Sequence, residues 1–396
     1  MTKTSKISRN TLAVWAGEMG VDSWHRATQI PVVHSIGFGY SDLDEWQSVA
    51  LQAAEGHIYS RNTNPTVRAF EEKVRQLESA EAAIGFASGM AAISDTLFAL
   101  LKPGDRIVSI KDSYGGTSQI FTSFLPKFGI DVEQCDTTNH EQIETEIAQG
   151  CSLLYLETPT NPTIKITDIE RLSRAAHAAG ALVVVDNTFA TPINQNPLAL
   201  GADIVLHSAS KFLGGHADAL GGVICGSAEL VKRVYGFREI NGAVLSAGDA
   251  YRLLRGMKTL GLRIERQNSN AMQIAKHLAE HPLVEDVYYP GLPQHPNHDI
   301  AKRQMSGFGG VLSFMVKGGY DAVRTFLPHM KLAHRAANLG AVETTVGPPA
   351  TTSHVECSVE ERERLGIPEG LVRYSTGIEQ VEDLIGDLDQ ALARLA

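Results

Sequence analysis

Three apolar runs in this chain each end on polar or charged residues: SLLYLE stops at Glu157, ALVVVDN reaches Asp186, and ADIVLHSASK closes on Ser208, Ser210 and Lys211. Continuous apolar runs this short are what strands buried on both faces look like, and such strands belong to parallel sheets. Between the first two runs lies TDIERLSRAAHAAG, whose spacing predicts a helix capped by Thr167 and stopped by Gly180. Upstream, RIVSI reads as another strand and TSQIFTSFLPKFG as another helix. Strand and helix in alternation build an α/β fold, a mainly parallel sheet with helices on both faces. Ligands of such sheets gather at the carboxyl ends of the strands. That edge is where Glu157, Asp186, Ser208, Ser210 and Lys211 fall.

Two helices precede this run. NTNPTVRAFEEKVRQLE has a start signal in Asn64 and Pro65, followed by Val67, Phe70, Val74 and Leu77 at helical spacing. A second helix is expected near ASGMAAISDTLFALL, where Gly89 permits a tight turn. Beyond about residue 255 the texture changes to longer helices, RIERQNSNAMQIAKHLAEHP and VEDLIGDLDQALARL, around short strands such as GGVLSFMV. A smaller C-terminal α+β domain is expected there.

Several function classes are disfavoured. A net charge of -10 argues against nucleic acid, whose phosphate backbone calls for a basic face. Cys135, Cys151, Cys225 and Cys357 are widely spaced and form no CxxC pair, so neither a disulfide framework nor a zinc knuckle is expected. No apolar run approaches the roughly 20 residues of a spanning helix, and MTKTSKISRN lacks the apolar core of a secretory signal, so a cytoplasmic location is expected. A GxGxxG fingerprint and a GxxxxGK[ST] loop are both missing from the sequence. HPNHD, with Pro293 and Pro296 around it, reads as a solvated loop, and no metal site is expected.

The stretch SASKFLGGHADALGG surrounds Lys211 with serines and glycines. A lone lysine is usually a solvated one. Asp186, at the mouth of a neighbouring strand, is poorly solvated and needs a cationic partner. A lysine and an acid at adjacent strand ends, with no nucleotide loop, match what pyridoxal phosphate requires: an amine for its aldehyde and a carboxylate for its ring nitrogen. Its phosphate would find backbone amides at SGM, where a helix starts, and hydroxyls on Ser208 and Ser210. Tyr114, in the loop DSYGGT, either lies against the ring or anchors the loop.

Taken together, YSRNTNPT, FASGMAAI, ETPTNP, VVVDNTFATP, SASKFLGGH, YYPGLPQHP, SGFGGVLSF and VRYSTGIE resemble the Cys/Met-metabolism family of pyridoxal-phosphate enzymes, in order and over nearly the whole chain. That family includes cystathionine γ-synthase, cystathionine γ-lyase, methionine γ-lyase and the O-acylhomoserine sulfhydrylases. The resemblance implies the fold-type-I, aspartate-aminotransferase-like architecture: an arm over residues 1–60 reaching a neighbouring subunit, a large cofactor-binding domain over 61–255 and a small domain over 256–396. It also implies a homotetramer built from two tight dimers. It makes Lys211 the Schiff-base lysine and Asp186 the partner of the pyridine nitrogen, and it places Tyr114 over the ring. Gly89, Met90, Ser208 and Ser210 go to the phosphate, which Tyr59 and Arg61 would reach from the neighbouring subunit. Asn161 is implied beside the cofactor's phenolic oxygen, and Arg373 as the bidentate partner of the substrate carboxylate.

The expected activity is elimination of a group from Cγ of an L-amino acid, with Lys211 removing the Cα proton and Tyr114 in acid–base work. γ-Replacement on an O-acylhomoserine by a thiol is the alternative. Gly116 stands where methionine γ-lyases usually carry cysteine, Ala337 where cystathionine γ-lyases usually carry an acid, and Asn338 where a serine is usual. Asn338, Tyr59 and Glu356 are the expected substrate-side residues. Glu356 at the mouth would favour a cationic distal group such as that of canavanine, or it is a solvated loop acid. A scaffold that has lost catalysis is disfavoured by the intact Lys211, Asp186, Tyr114 and Arg373, and an aminotransferase by the γ-family motifs.

Overall fold

The computed structural model describes residues 7–18, 26–355 and 357–395. Its first sheet has seven strands: β1 (Ala82–Phe86), β2 (Arg106–Ile110), β3 (Asp131–Cys135), β4 (Leu153–Glu157), β5 (Leu182–Asp186), β6 (Ile204–Ser208) and β7 (Gly222–Gly226). Their spatial order is β1-β7-β6-β5-β4-β2-β3. The expected parallel core runs from β6 to β3, and β7 is antiparallel to both β6 and β1. No crossover helix lies between β6 and β7, so the chain turns back into the sheet, whereas a parallel neighbour needs a crossover.

Both faces of this sheet are covered at its centre, which is why β4 and β5 are continuous apolar runs, whereas the edge strand β3, DVEQC, is mostly not buried. Tyr155, Val184, Leu206 and Ile224 pack with Ile93 and Leu97 of helix Gly89–Leu100 and Val234 of helix Ala228–Asn241. On the other face Leu154, Val183 and Val205 pack with Leu172 of helix Ile169–Ala178, and Val223 and Cys225 with Phe70 and Val74 of helix Pro65–Glu78.

Asn64 caps its helix as expected, its Oδ1 accepting from the amides of Thr66 (2.9 Å) and Val67 (3.4 Å). Gly180 ends its helix at φ +77, the left-handed region that glycine occupies freely. Thr167 does not cap that helix: the cap is Asp168, whose Oδ1 accepts from Arg171 N–H at 3.1 Å, while the Thr167 hydroxyl is buried without a partner among the described residues. The helix expected over TSQIFTSFLPKFG is broken into an α-helical piece (Gly115–Gln119), a π-helical turn (Ile120–Phe124) and a 3-10 turn (Leu125–Phe128). Pro126, which has no N–H to give to the ladder, sits in the last piece.

The second sheet contains β8 (Val284–Tyr288), β9 (Val311–Val316), β10 (His334–Arg335), β11 (Thr345–Gly347) and β12 (Leu371–Ser375), ordered β10-β11-β12-β9-β8. Its pairings are antiparallel except β10 with β11. Phe314, Val316 and Val372 pack against Ile274 and Leu278 of helix Leu260–Glu280 and Leu384 and Leu388 of helix Val381–Leu392. Among the described residues no helix is long and apolar enough to cross a membrane, and no His/Cys/Asp/Glu cluster could hold a metal ion.

Candidate active site

β4 and β5 pair with Glu157 opposite Asp186, and β5 and β6 with Asp186 opposite Leu206. Directly opposed residues share a face, so Glu157, Asp186 and, two residues past Leu206, Ser208 project to the same side at the carboxyl edge. Helix Gly89–Leu100 begins on that side. Its N-terminus comes so close to β6 that a Cβ on Gly89 would sit 2.6 Å from the Ser208 Cβ, a contact that only glycine allows. Ser88 caps the helix, its Oγ accepting from Ala91 N–H at 3.1 Å.

These groups line a cavity of about 560 Å³ that also includes Met90, Tyr114, Asn161, Ser210, Lys211, Asn338 and Arg373. Lys211 lies just past β6 and donates from Nζ to Asn338 Oδ1 at 3.1 Å. Burial, and then the nearby Arg373 charge, pushes its amine down to about 8. Arg373, on β12, is 3% exposed. It donates to Asn161 Oδ1 (3.1 Å), Ala337 O (2.8 Å) and Asn338 O (3.3 Å), and burial lowers its guanidinium to about 10.

Asp186 accepts from Thr188 N–H at 2.9 Å, and the Thr188 hydroxyl accepts from Ser208 N–H at 2.8 Å, so one threonine ties two strand ends together. Burial raises the Asp186 carboxyl, and burial followed by the Asp186 charge raises Glu157 well above the usual range. A buried acid in this position calls for a cationic partner. His354 also lines the cavity, and burial with the charges of Arg373 and Arg362 pushes its imidazole down to about 4, so it is neutral near pH 7.

The structure therefore brings together Lys211, Asp186, Gly89, Met90, Ser208, Ser210, Tyr114, Asn161, Arg373 and Asn338. Asn338 Oδ1 is engaged by Lys211 Nζ, and the Ser210 hydroxyl exchanges hydrogen bonds with the Gly221 backbone (2.9 and 3.2 Å). Tyr59 and Arg61 do not line the cavity; within their own chain the Arg61 guanidinium lies 5.3 Å from the Tyr59 ring centre. Glu356 lies outside the described residues, and its neighbour Val355 lines the mouth. Thr188 and Glu157 are site residues to which the sequence assigned no role. Glu157 carries the same signal as Asp186, an acid ending a fully apolar strand.

The donor set fits an aldehyde-bearing phosphate cofactor. A helix N-terminus and Ser208 offer amides and a hydroxyl to an anion, a buried lysine whose pKa burial has lowered faces the same space, and the buried Asp186 carboxyl stands ready for a cationic ring nitrogen.

A family model described as Cys/Met metabolism PLP-dependent enzyme matches residues 10–393. The chain is 43% identical to an L-methionine gamma-lyase of Fusobacterium nucleatum subsp. polymorphum, over 99% of this chain and 100% of that protein. It is 47% identical to a cystathionine gamma-lyase of Bacillus subtilis, over 86% of this chain and 89% of that protein. Its structure matches a cystathionine gamma synthase from Xanthomonas oryzae pv. oryzae, solved with aminoacrylate and cysteine, at a TM-score of 0.94 and 37% identity, over 98% and 99% of the two chains.

Proposed function

The chain belongs to the Cys/Met-metabolism family of pyridoxal-phosphate-dependent enzymes, and from that premise we propose that it catalyses γ-elimination on an L-amino acid carrying a leaving group at Cγ. The observation that carries this is the placement of Lys211 Nζ, held by Asn338, in one cavity with Arg373, Tyr114 and the Glu157–Asp186 edge. Methionine-, cystathionine- and canavanine-like amino acids are the substrate candidates.

Pyridoxal phosphate supplies an aldehyde for the substrate amine and a ring that withdraws electrons from Cα and Cβ. Lys211 would hold the aldehyde and Asp186 the ring nitrogen, with Asn161 beside the phenolic oxygen. Gly89, Met90, Ser208 and Ser210 would hold the phosphate, joined by Tyr59 and Arg61 of a neighbouring subunit. Arg373 pairs with the substrate carboxylate, its fork already oriented by Asn161 and two carbonyls. Lys211 takes the Cα proton onto Nζ, passes it on and then takes the Cβ proton, so that the electron pair left at Cβ expels the Cγ substituent. Its pKa, lowered to about 8, lies near the range in which one nitrogen both takes and releases a proton. The Tyr114 hydroxyl hands a proton to the departing group. Gly116, Gln119, Ala337 and Val355 give the cavity small or uncharged walls, which suit a neutral thioether.

γ-Replacement on an O-acylhomoserine by a thiol is the second reading, favoured by the likeness to the cystathionine gamma synthase structure. A panel of methionine, cystathionine, homocysteine, canavanine and O-acylhomoserines, offered to the cofactor-loaded protein and followed by mass spectrometry, tests both, with Lys211→Ala as control. Release of the Cγ substituent without added thiol establishes elimination. Turnover only with an acylhomoserine and a nucleophile together establishes replacement.

The same premise supports the arm over 1–60, the large domain over 61–255 and the small domain over 256–396. It also supports a tetramer whose sites are completed across a dimer, working in the cytoplasm.

A further inference from the structure

Glu157 is 4% exposed and its two carboxyl oxygens are divided between two loops. Oε2 accepts from Tyr114 N–H at 2.8 Å and Oε1 from Asn161 N–H at 3.0 Å. Tyr114 follows β2, Asn161 follows β4, and these strands are neighbours in the sheet. Asn161 then accepts from Arg373 Nη1 through its Oδ1 at 3.1 Å.

We propose that Glu157 is the positioning residue of this site: a single carboxyl group at the rigid end of β4 fixes the backbone of Tyr114 and of Asn161 and, through the Asn161 side chain, the seat of Arg373. Tyr114 needs such an anchor. It opens a five-residue helix that has no side-chain cap and is followed by Gly115 and Gly116, whereas Glu157 is locked in the ladder opposite Asp186. Acid–base reach for Tyr114 and carboxylate binding by Arg373 are thereby set from one point. This rests on the roles proposed above for Tyr114 and Arg373.

Glu157→Gln tests it, because a carboxamide presents one oxygen and one NH2 to two N–H donors and so loses one bond and opposes the other. Amide hydrogen exchange at Tyr114 and Asn161, followed with and without cofactor, should accelerate at least tenfold in the variant. In the loaded enzyme kcat/KM should fall by about 100-fold, the scale of a misplacement of about 1 Å, with kcat lowered through Tyr114 and KM raised through Arg373. In a double-mutant cycle with Tyr114→Phe the losses in kcat should not multiply, since a hydroxyl already removed cannot be misplaced.

Unchanged amide exchange, or kinetic losses that multiply, would overturn the proposal. Full turnover by Tyr114→Phe alone would sink the acid–base role of that tyrosine and leave the exchange result standing, so the two failures are distinguishable. If Glu157→Gln does not fold, Glu157→Asp takes its place. Its shorter stem should release one of the two amides, and retention of both would equally overturn the proposal.

Discussion

The carboxyl edge of the first sheet and the segment from Ala337 to Cys357 face each other across one cavity, yet they are built differently. The edge consists of strand ends locked in a ladder, with Glu157 and Asp186 in register and both sheet faces covered by helices. Among its described residues the facing segment contains one three-residue strand, β11, one 3-10 turn over Pro349–Thr351, and residues such as Val355 that are 59% exposed. Groups that must hold one geometry sit where a slip would break a hydrogen-bonded ladder. In the reading proposed above, the groups assigned to substrate selection sit on a loop that can change without disturbing the ladder. Of the departures from family patterns, Ala337 and Asn338 fall on the loop side, whereas Gly116 lies on the sheet side, in the helix Gly115–Gln119.

That contrast is broken most directly at Lys211. Lys211→Ala should reduce turnover by about 10⁴-fold, the upper range for a lost proton-transfer group, while leaving thermal unfolding within a few degrees. A variant that keeps more than a tenth of the activity would mean that the ladder edge is not where the chemistry occurs.

Asp186→Asn should weaken cofactor binding by about 10²–10³-fold, as expected when one member of a buried charge pair is removed, and equilibrium dialysis reads this without any turnover. Gly89→Ala places a methyl 2.6 Å from the Ser208 Cβ, so helix and strand must part. A cost of about 1–3 kcal/mol is expected, visible as a lower Tm and roughly tenfold weaker binding of cofactor.

Acylation of Lys211 in the cofactor-free protein should rise with a midpoint near pH 8 instead of the ordinary 10.5. Burial and Arg373 both disfavour the ammonium, so the reactive amine appears at lower pH. Arg373→Gln should move the midpoint up only partway, because burial is the larger cause. The smallest effect is expected on the loop. Val355→Ala should change stability by no more than about 0.5 kcal/mol yet alter the ratio of kcat/KM between two substrates of different Cγ substituent. An equal change for both would remove the loop from substrate selection.

The two regions also differ in how far the sequence revealed them. Asp186, Ser208 and Lys211 were legible because an apolar run ending in polar residues carries its own signature. Glu157 carried that signature too but gained meaning only from the amides it receives, which no spacing encodes. The break in the segment 115–128 was flagged by Pro126 and masked by a pattern that otherwise continues at helical spacing. Thr167 and Asp168 are both acceptable caps by residue type, and backbone dihedrals chose the second.

The edge follows from the local pattern of the chain: parallel strands joined by crossovers all point the same way, so polar residues that end them must meet. The remainder of the site was set by long-range packing. Asn338 reaches Lys211 from 127 residues away and Arg373 reaches Asn161 from 212. Those contacts depend on how the second sheet packs over the first, and packing between distant segments leaves no period in the chain from which to read it.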